Sequence, residues 1–310
     1  MSARAYLFTG AGNNFVVFDG REGGMDEYRQ PERIQALCRE YRTDGLMILT
    51  EAPGQDFGME FYNPDGSGGM MCGNGGRCIV AFADYLGLKP ASEDGTWHFL
   101  APDGEHTATI LEGSHVSGPM ATLGRVRGRG PQPEAVGGVA KRRSGDMTSL
   151  QKWTVRLKMI DVKGISKAKN GYFLNTGTRH YVEFRDNVDA IDIEPEAKPI
   201  RWADEFQPEG TNVNFVEKTK DGLKVRTFEK GVEGETLACG TGLTASAIAA
   251  YYHGIPDQVG DDGERHARPR PGISYRLQCR RGDWLQVEFT PSGDGFKDVF
   301  LTGPAELIEK

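Results

Sequence analysis

Apolar and polar residues alternate in short runs along most of this chain, broken at close intervals by Gly, Pro, Asn and Asp. The runs Tyr6-Leu7-Phe8, Phe15 to Phe18, Trp153 to Ile160, Leu223 to Phe228 and Trp284 to Phe289 read as strands, because a period of two puts one set of side chains on one face. Helical spacing is rarer. Pro31 to Arg42 opens on a proline, which a first helical turn tolerates because the missing N–H has no partner there. Two more apolar stretches, Ile79 to Leu86 and Ala245 to Tyr252, each follow a run of small residues. Strands dominate, with one buried helix in each half, so the pattern predicts an α+β chain and not regular βαβ alternation.

Two segments break this rhythm. Residues 113 to 152 contain Gly118 to Leu150, rich in Gly, Pro, Arg and Ser and without apolar periodicity. Within it lie two basic clusters, Arg125-Val126-Arg127-Gly128-Arg129-Gly130-Pro131 and Lys141-Arg142-Arg143. A solvated insertion between domains explains this composition better than an arm for an anionic partner. Asp257 to Pro271 reads in the same way, and both are expected to be loops.

The helix-like stretches share their lead-in. Met71-Cys72-Gly73-Asn74-Gly75-Gly76-Arg77 and Ala238-Cys239-Gly240-Thr241-Gly242-Leu243-Thr244 are the same phrase, about half the chain apart. Phe61 and Phe228 each precede their cysteine by eleven positions, and Phe15-Val16-Val17-Phe18 is echoed by Tyr181-Val182-Glu183-Phe184 at nearly the same offset. A repeat of this length reads as a duplication that gives two similar halves, each with one cysteine.

Length and composition narrow the setting. The 310 residues are enough for two domains, and 38% apolar with 26% charged residues is ordinary for a soluble globular protein. No apolar run approaches the roughly 18 residues of a membrane span and no signal-peptide pattern opens the chain, so a cytoplasmic location is expected. A net charge of −7 argues against general nucleic-acid binding. Five cysteines (Cys38, Cys72, Cys78, Cys239, Cys279) do not form a disulfide framework, and no C-x-x-C spacing points to zinc. Cys72 and Cys78 fall on different faces of a helix, and Cys38, Cys78 and Cys279 are expected to be small buried hydrophobes.

A cysteine directly before Gly-x-Gly at a helix start has particular chemistry. A free thiol has a pKa of about 8.5, and unpaired N–H groups with the positive end of the helix dipole favour its anion. The same N–H groups can hold a carboxylate that approaches closely over glycine. Packing alone accounts for one tight turn with a buried cysteine, but it does not demand a thiol twice. Two such elements face to face suit removal of a proton from one side of a carbon and its return to the other. A dinucleotide fingerprint is excluded, because neither glycine run keeps the G-x-G-x-x-G spacing. The phrases Gly10 to Asn14, Tyr62 to Gly66, Gly210 to Asn214 and Phe228-Glu229-Lys230-Gly231 could complete a polar cage for a zwitterion.

On Gly10 to Phe15, Tyr62-Asn63-Pro64-Asp65-Gly66-Ser67, Cys72 to Cys78, Gly210 to Phe215 and Glu229 to Gly242, the chain resembles the diaminopimelate epimerases, cofactor-independent isomerases of lysine and peptidoglycan precursor synthesis. The resemblance implies two pseudo-symmetric halves, each a strand barrel around a central helix. These would be residues 1–114, rejoined by 301–310, and residues 115–300 with a loop insertion at about 115–152. It implies Cys72 and Cys239 as paired acid/bases, with substrate held by Asn13, Asn63, Gly73, Asn74, Asn212, Glu229, Lys230, Gly240 and Thr241. His180 and Glu229 would tune the thiols. It further implies diaminopimelate as the small-molecule partner, no metal or organic cofactor, no membrane or nucleic-acid partner, and it allows a homodimer. Three positions depart from the family pattern. Lys230 replaces the usual arginine, Thr178 a frequent asparagine, and Arg42-Thr43-Asp44-Gly45 shortens a longer glycine-rich phrase. The runner-up is a proline or hydroxyproline racemase, also with paired cysteines; Asn-Pro-Asp-Gly and Glu229-Lys230 favour the diaminopimelate branch. A non-catalytic amino-acid binding protein would have no use for both thiols.

Overall fold

The computed structural model describes residues 3–69, 71–113, 151–257 and 272–309. The chain begins with β1 (Tyr6–Gly10), β2 (Asn13–Asp19), α1 (Pro31–Tyr41), β3 (Gly45–Thr50), β4 (Phe57–Tyr62), α2 (Gly73–Tyr85), β5 (Thr96–Ala101) and β6 (Gly104–Gly113). It continues through β7 (Gln151–Lys158), β8 (Ile165–Ala168), β9 (Gly171–Asn175), β10 (Arg179–Phe184), α3 (Ile193–Arg201), β11 (Asn212–Lys218), β12 (Leu223–Glu229) and β13 (Gly234–Thr236). α4 (Gly240–Tyr252), β14 (Ile273–Gln278), β15 (Trp284–Ser292) and β16 (Gly295–Glu309) complete it.

The two halves repeat one pairing scheme. β1–β2 is antiparallel, β2–β3 parallel, β3–β4 antiparallel, β4–β5 parallel and β5–β6 antiparallel. β9, β10, β11, β12, β14 and β15 follow the same sequence of pairings. The long final strand β16 pairs with β15, β7 and β1, so β1 to β7 and β16 close into a ring of eight strands. A closed ring leaves no exposed strand edge.

The parallel connections β2–β3 and β10–β11 run through α1 and α3 on the outside, while β4–β5 and β12–β14 run through α2 and α4, the helices after the cysteines, which lie inside. That sandwich explains why the strands between them are apolar on both faces. Val16, Phe18, Leu46 and Ile48 pack outward with Ile34 and Leu37 of α1. Their neighbours Phe15, Val17, Met47 and Leu49 pack inward with Ile79, Val80 and Phe82 of α2. In the second half Tyr181, Val213, Phe215 and Phe228 meet Ile193 and Ala197 of α3, whereas Val182, Val216 and Val225 belong to the core around α4. At roughly 1.5–3 kcal/mol for each large apolar side chain buried, the inner helices are the main anchor of their halves.

The α+β expectation holds, with three local corrections. α3 went unread because Pro195 and Pro199 look like breakers; Pro195 lies in the first turn, and burial of Ile193 and Ala197 outweighs the lost backbone bond at Pro199. β7 ends at Lys158, so Met159 and Ile160 leave the strand. Gly113, Gln151 and Lys152 are strand residues, not part of the insertion, because Gly113 pairs with Trp153 of β7, and Lys152 and Gln151 pair with Glu306 and Leu307 of β16. The rest of that insertion, and all but Asp257 of the second loop, lie outside the described residues.

Candidate active site

Cys72 and Cys239 stand at the residue before α2 and before α4, each in extended conformation. The two helix starts abut. A Cβ on Gly240 would come 3.6 Å from the Gly73 Cα and 3.0 Å from the Leu301 Cδ2. A Cβ on Gly73 would come 3.2 Å from the same leucine methyl. Glycine suits both positions because a side chain there would crowd the Leu301 methyl and fill the gap between the two backbones. Two positive helix ends therefore converge on one small region, an arrangement that favours an anion between them.

The first start is organised by amides and an arginine. The Gly75 N–H donates to the Cys72 Sγ at 3.2 Å, so this sulfur caps its own helix. Asn74 Nδ2 donates to Asn13 Oδ1 at 2.5 Å and to the Ala238 carbonyl at 3.3 Å, tying the first half to the residue before Cys239. Arg77, with no exposed surface, donates to the Asn74 Oδ1 at 2.7 Å and to the Gly73 carbonyl at 3.0 Å.

Hydroxyls and an imidazole organise the second. Thr241 Oγ1 lies 3.4 Å from Cys239 Sγ and 3.0 Å from His180 Nε2. Thr227 donates to Asn214 Oδ1 at 2.9 Å, which fixes that amide with its NH₂ toward the Tyr181 carbonyl (2.9 Å) and His180 Nδ1 (3.0 Å). Nδ1 is therefore the acceptor, and Nε2–H points at Thr178 Oγ1 and Thr241 Oγ1. Accepting from His180 leaves the Thr241 hydroxyl proton available to Cys239.

Burial dominates the electrostatics. It raises the Cys72 thiol, against the Gly75 N–H and the Arg77 charge, which lower it. Burial and then the Glu229 charge raise Cys239, opposed by Thr241 and the Gly242 N–H. Glu229 itself is raised by burial, opposed by Thr236 and Cys239 beside it. His180 is pushed down to about 3 by burial, so it is neutral across the physiological range. Three closely placed acids, the buried Cys239 and the half-buried Cys72 and Glu229, thus compete for few charges, and their protons are coupled.

The structure gathers Asn13, Gly73, Asn74, Gly240, Thr241, His180 and Glu229 around the two cysteines. Asn212 adjoins them, but its amide is engaged internally, donating to the Arg179 carbonyl at 2.9 Å and accepting the Lys230 N–H at 2.7 Å. Thr178 sits within this cluster, 3.1 Å from Thr241 Oγ1. The Lys230 side chain is exposed at its edge. Asn63 is held in its own turn, donating to Ser67 Oγ at 3.0 Å, and no described contact brings it to a thiol. In the Arg42 to Gly45 phrase, Asp44 Oδ2 accepts the Asn14 N–H at 2.8 Å and so steadies the strand that carries Asn13. Cys38, Cys78 and Cys279 are buried. Sequence reasoning missed Arg77, Asn214 and Thr227. Asn214 had a signal, since Asn212 and Asn214 are two apart on one strand and share a face. Among the described residues no group of three or more His, Cys, Asp or Glu could hold a metal ion, and no helix is long and apolar enough to cross a membrane.

The diaminopimelate epimerase family profile matches residues 5–117 and 172–259. A diaminopimelate epimerase from Flavobacterium psychrophilum is 34% identical over 309 residues, covering 98% of this chain and 98% of that protein. One from Chlorobaculum tepidum is 32% identical, covering 97% of each. Among solved structures, a phenazine biosynthesis protein of the PhzF family from Bacillus anthracis superposes with a TM-score of 0.62 at 12% identity, over 100% of this chain and 98% of that one. A probable proline racemase from Agrobacterium radiobacter, with bound carbonate, gives 0.56 at 14% identity, over 99% and 90%. These structural likenesses show a shared fold.

Proposed function

The chain belongs to the diaminopimelate epimerase family, and from that premise we propose that it interconverts LL- and meso-diaminopimelate through Cys72 and Cys239. One sulfur, as thiolate, takes the α-proton, and the other, as thiol, gives its proton to the opposite face of the same carbon. The proton count is unchanged, and each product leaves the pair poised for the reverse reaction. Backbone N–H groups at the two helix starts hold the α-carboxylate and the negative charge that develops on it. Glu229 receives the α-ammonium, Asn13 and Asn74 line the first face, and Thr241 donates to Cys239 when that sulfur is the anion. His180 holds Thr241 in the orientation this requires. The exposed Lys230 is assigned to a carboxylate of the substrate. Location in the cytoplasm belongs to the same reading.

The observation that carries it is the abutment of two cysteine-led helix starts across Gly73 and Gly240. The test is incubation with LL-diaminopimelate in heavy water, followed by chiral separation. The expected result is meso product carrying one deuterium at the inverted carbon. Turnover of proline or hydroxyproline with none of diaminopimelate would overturn the reading.

A further inference from the structure

Arg77 is the least expected residue of the core. It is fully buried, yet its hydrogen bonds go to neutral oxygens: Gly73 carbonyl, Asn74 Oδ1, and the Pro304 carbonyl of β16 at 3.3 Å. The slot is closely built, since a Cβ on Gly303 would fall 3.2 Å from Arg77 Nε. Among the described residues no carboxylate is in ion-pair contact with it. A guanidinium keeps its proton in proteins, and an unpaired buried charge is costly. An anion nearby must offset that cost.

The groups that face it are few. They are Cys78 of α2 first, then Cys72 at the residue before that helix, and Cys279 and Asp283 of the 279–283 turn. Asp283 Oδ2 already lies 3.5 Å from Arg281 Nε. Cys78 and Cys279 are sealed in the core, whereas Cys72 is partly open and its sulfur accepts the Gly75 N–H. Cys72 in turn is faced by Glu229, and Cys239 by both Glu229 and Cys72. The repeat supplies an internal control. At the position of Arg77 the second half has Thr244, whose hydroxyl bonds the Gly240 carbonyl at 3.0 Å just as Arg77 bonds the Gly73 carbonyl. Binding that carbonyl needs only a hydroxyl; Arg77 adds bonds to Asn74 Oδ1 and the Pro304 carbonyl, and beyond them it brings a charge to the residue next to Cys72.

We propose that Arg77 is a positioning residue that places negative charge on Cys72, so that the two thiols of this pseudo-symmetric site are unequal by construction. This rests on the paired-thiol reading above. Turnover alone cannot reveal the inequality, because the equilibrium constant fixes the ratio of kcat/KM in the two directions. Each thiol must be titrated by itself, through thiolate ultraviolet absorbance, with Cys239→Ala isolating Cys72 and Cys72→Ala isolating Cys239. In the first background Arg77→Gln should move the Cys72 titration up by about one pH unit, the order a lost neighbouring charge imparts, and Arg77→Lys by less. In the second background neither substitution should move Cys239. Unmoved Cys72, or equal movement of both thiols, would overturn the proposal. If Arg77→Gln does not fold, Asn74→Asp puts a carboxylate against the guanidinium and should raise Cys72 in the same direction; no movement there is equally fatal. The titration does not need turnover. A failure of the paired-thiol reading would show instead as activity surviving in the two alanine variants.

Discussion

The two helix starts are the same turn built with different chemistry. Counted from each cysteine, Asn74 corresponds to Thr241 and Arg77 to Thr244, and each of the first two is met by a side chain from a neighbouring strand, Asn13 of β2 in one half and His180 of β10 in the other. Asn13 meets Asn74 through an amide pair, whereas His180 meets Thr241 through an imidazole and a hydroxyl. The glycines beside them differ in surroundings too. A Cβ on Gly75 would meet Met47 Sδ at 3.3 Å, but one on Gly242 would meet Asn214 Oδ1 at 2.5 Å. Backbone geometry is thus duplicated while side-chain polarity is not. A reaction that runs both ways through a pseudo-twofold site requires two thiols, but not two identical environments. It requires only that each sulfur be able to hold and release a proton.

The largest expected effect removes either member of the pair. Cys72→Ala and Cys239→Ala should each lower epimerisation by roughly 10²- to 10⁴-fold, the range for a positioned acid or base. The two variants should differ in exchange. In heavy water each should still wash deuterium slowly into the one stereoisomer whose α-proton faces the surviving thiol. Washing into both isomers alike by a single-thiol variant would sink the two-face mechanism.

His180 sharpens the contrast with Asn13, which cannot titrate. Its folded pKa, lowered to about 3 by burial, lies below the unfolded value of 6.5. Between those values the unfolded chain binds a proton that the folded chain refuses, so stability rises with pH across this window and is lost as pH falls through it. At about 1.4 kcal/mol for each pH unit of the gap, the loss reaches a few kcal/mol in acid. His180→Asn should flatten the fall of Tm between about pH 6.5 and 4 and lower kcat at neutral pH by loosening Thr241. A Tm profile identical to that of the parent would show that His180 is not the buried, neutral group described.

Next in size are the glycines where the halves touch. Gly240→Ala brings a methyl to 3.0 Å from Leu301 Cδ2 and 3.6 Å from the Gly73 backbone, and Gly73→Ala is slightly less crowded. Overpacking of this kind costs about 1–3 kcal/mol. Denaturant midpoints should fall for both, more for Gly240→Ala, and Leu301→Ala should partly rescue each. No rescue would mean that backbone contact, not the leucine, sets the limit.

How much of this was readable in the sequence depends on what each feature rests on. The cysteine-led starts, the inner helices and the repeat were legible because they rest on local spacing and on self-similarity. α3 was hidden by its prolines, since tertiary burial alone decides that segment. Arg77 was in plain view inside the motif, but nothing local tells an exposed arginine from one sealed under β16. Thr227 matters only because strand pairing carries it to Asn214, a long-range fact without a local mark; Asn214 was marked by its spacing from Asn212, but its pairing with His180 was not. The place of β7 in the first ring is equally non-local, whereas the return of the chain's end to that half was implied by the resemblance.

The smallest expected effect concerns Lys230, the one predicted binding residue whose side chain is exposed. Its backbone already serves the site through Asn212 Oδ1, and substitution leaves that bond intact. If its ammonium also holds a substrate carboxylate throughout the reaction, the contact is uniform binding. Lys230→Met should then raise KM by a few-fold with kcat nearly unchanged, because exposed ion pairs contribute about 1 kcal/mol or less. Lys230→Arg should restore or improve KM if the rim accepts a bidentate fork. Glu229→Gln is the contrasting case, since Glu229 is half-buried and its charge raises both thiols. That variant should lower kcat as well as affinity and move both thiol titrations downward, unlike Arg77→Gln, which moves one upward. An unchanged KM in Lys230→Met would leave the carboxylate to the two helix starts alone. The binding groups left in both halves would then all be buried or half-buried.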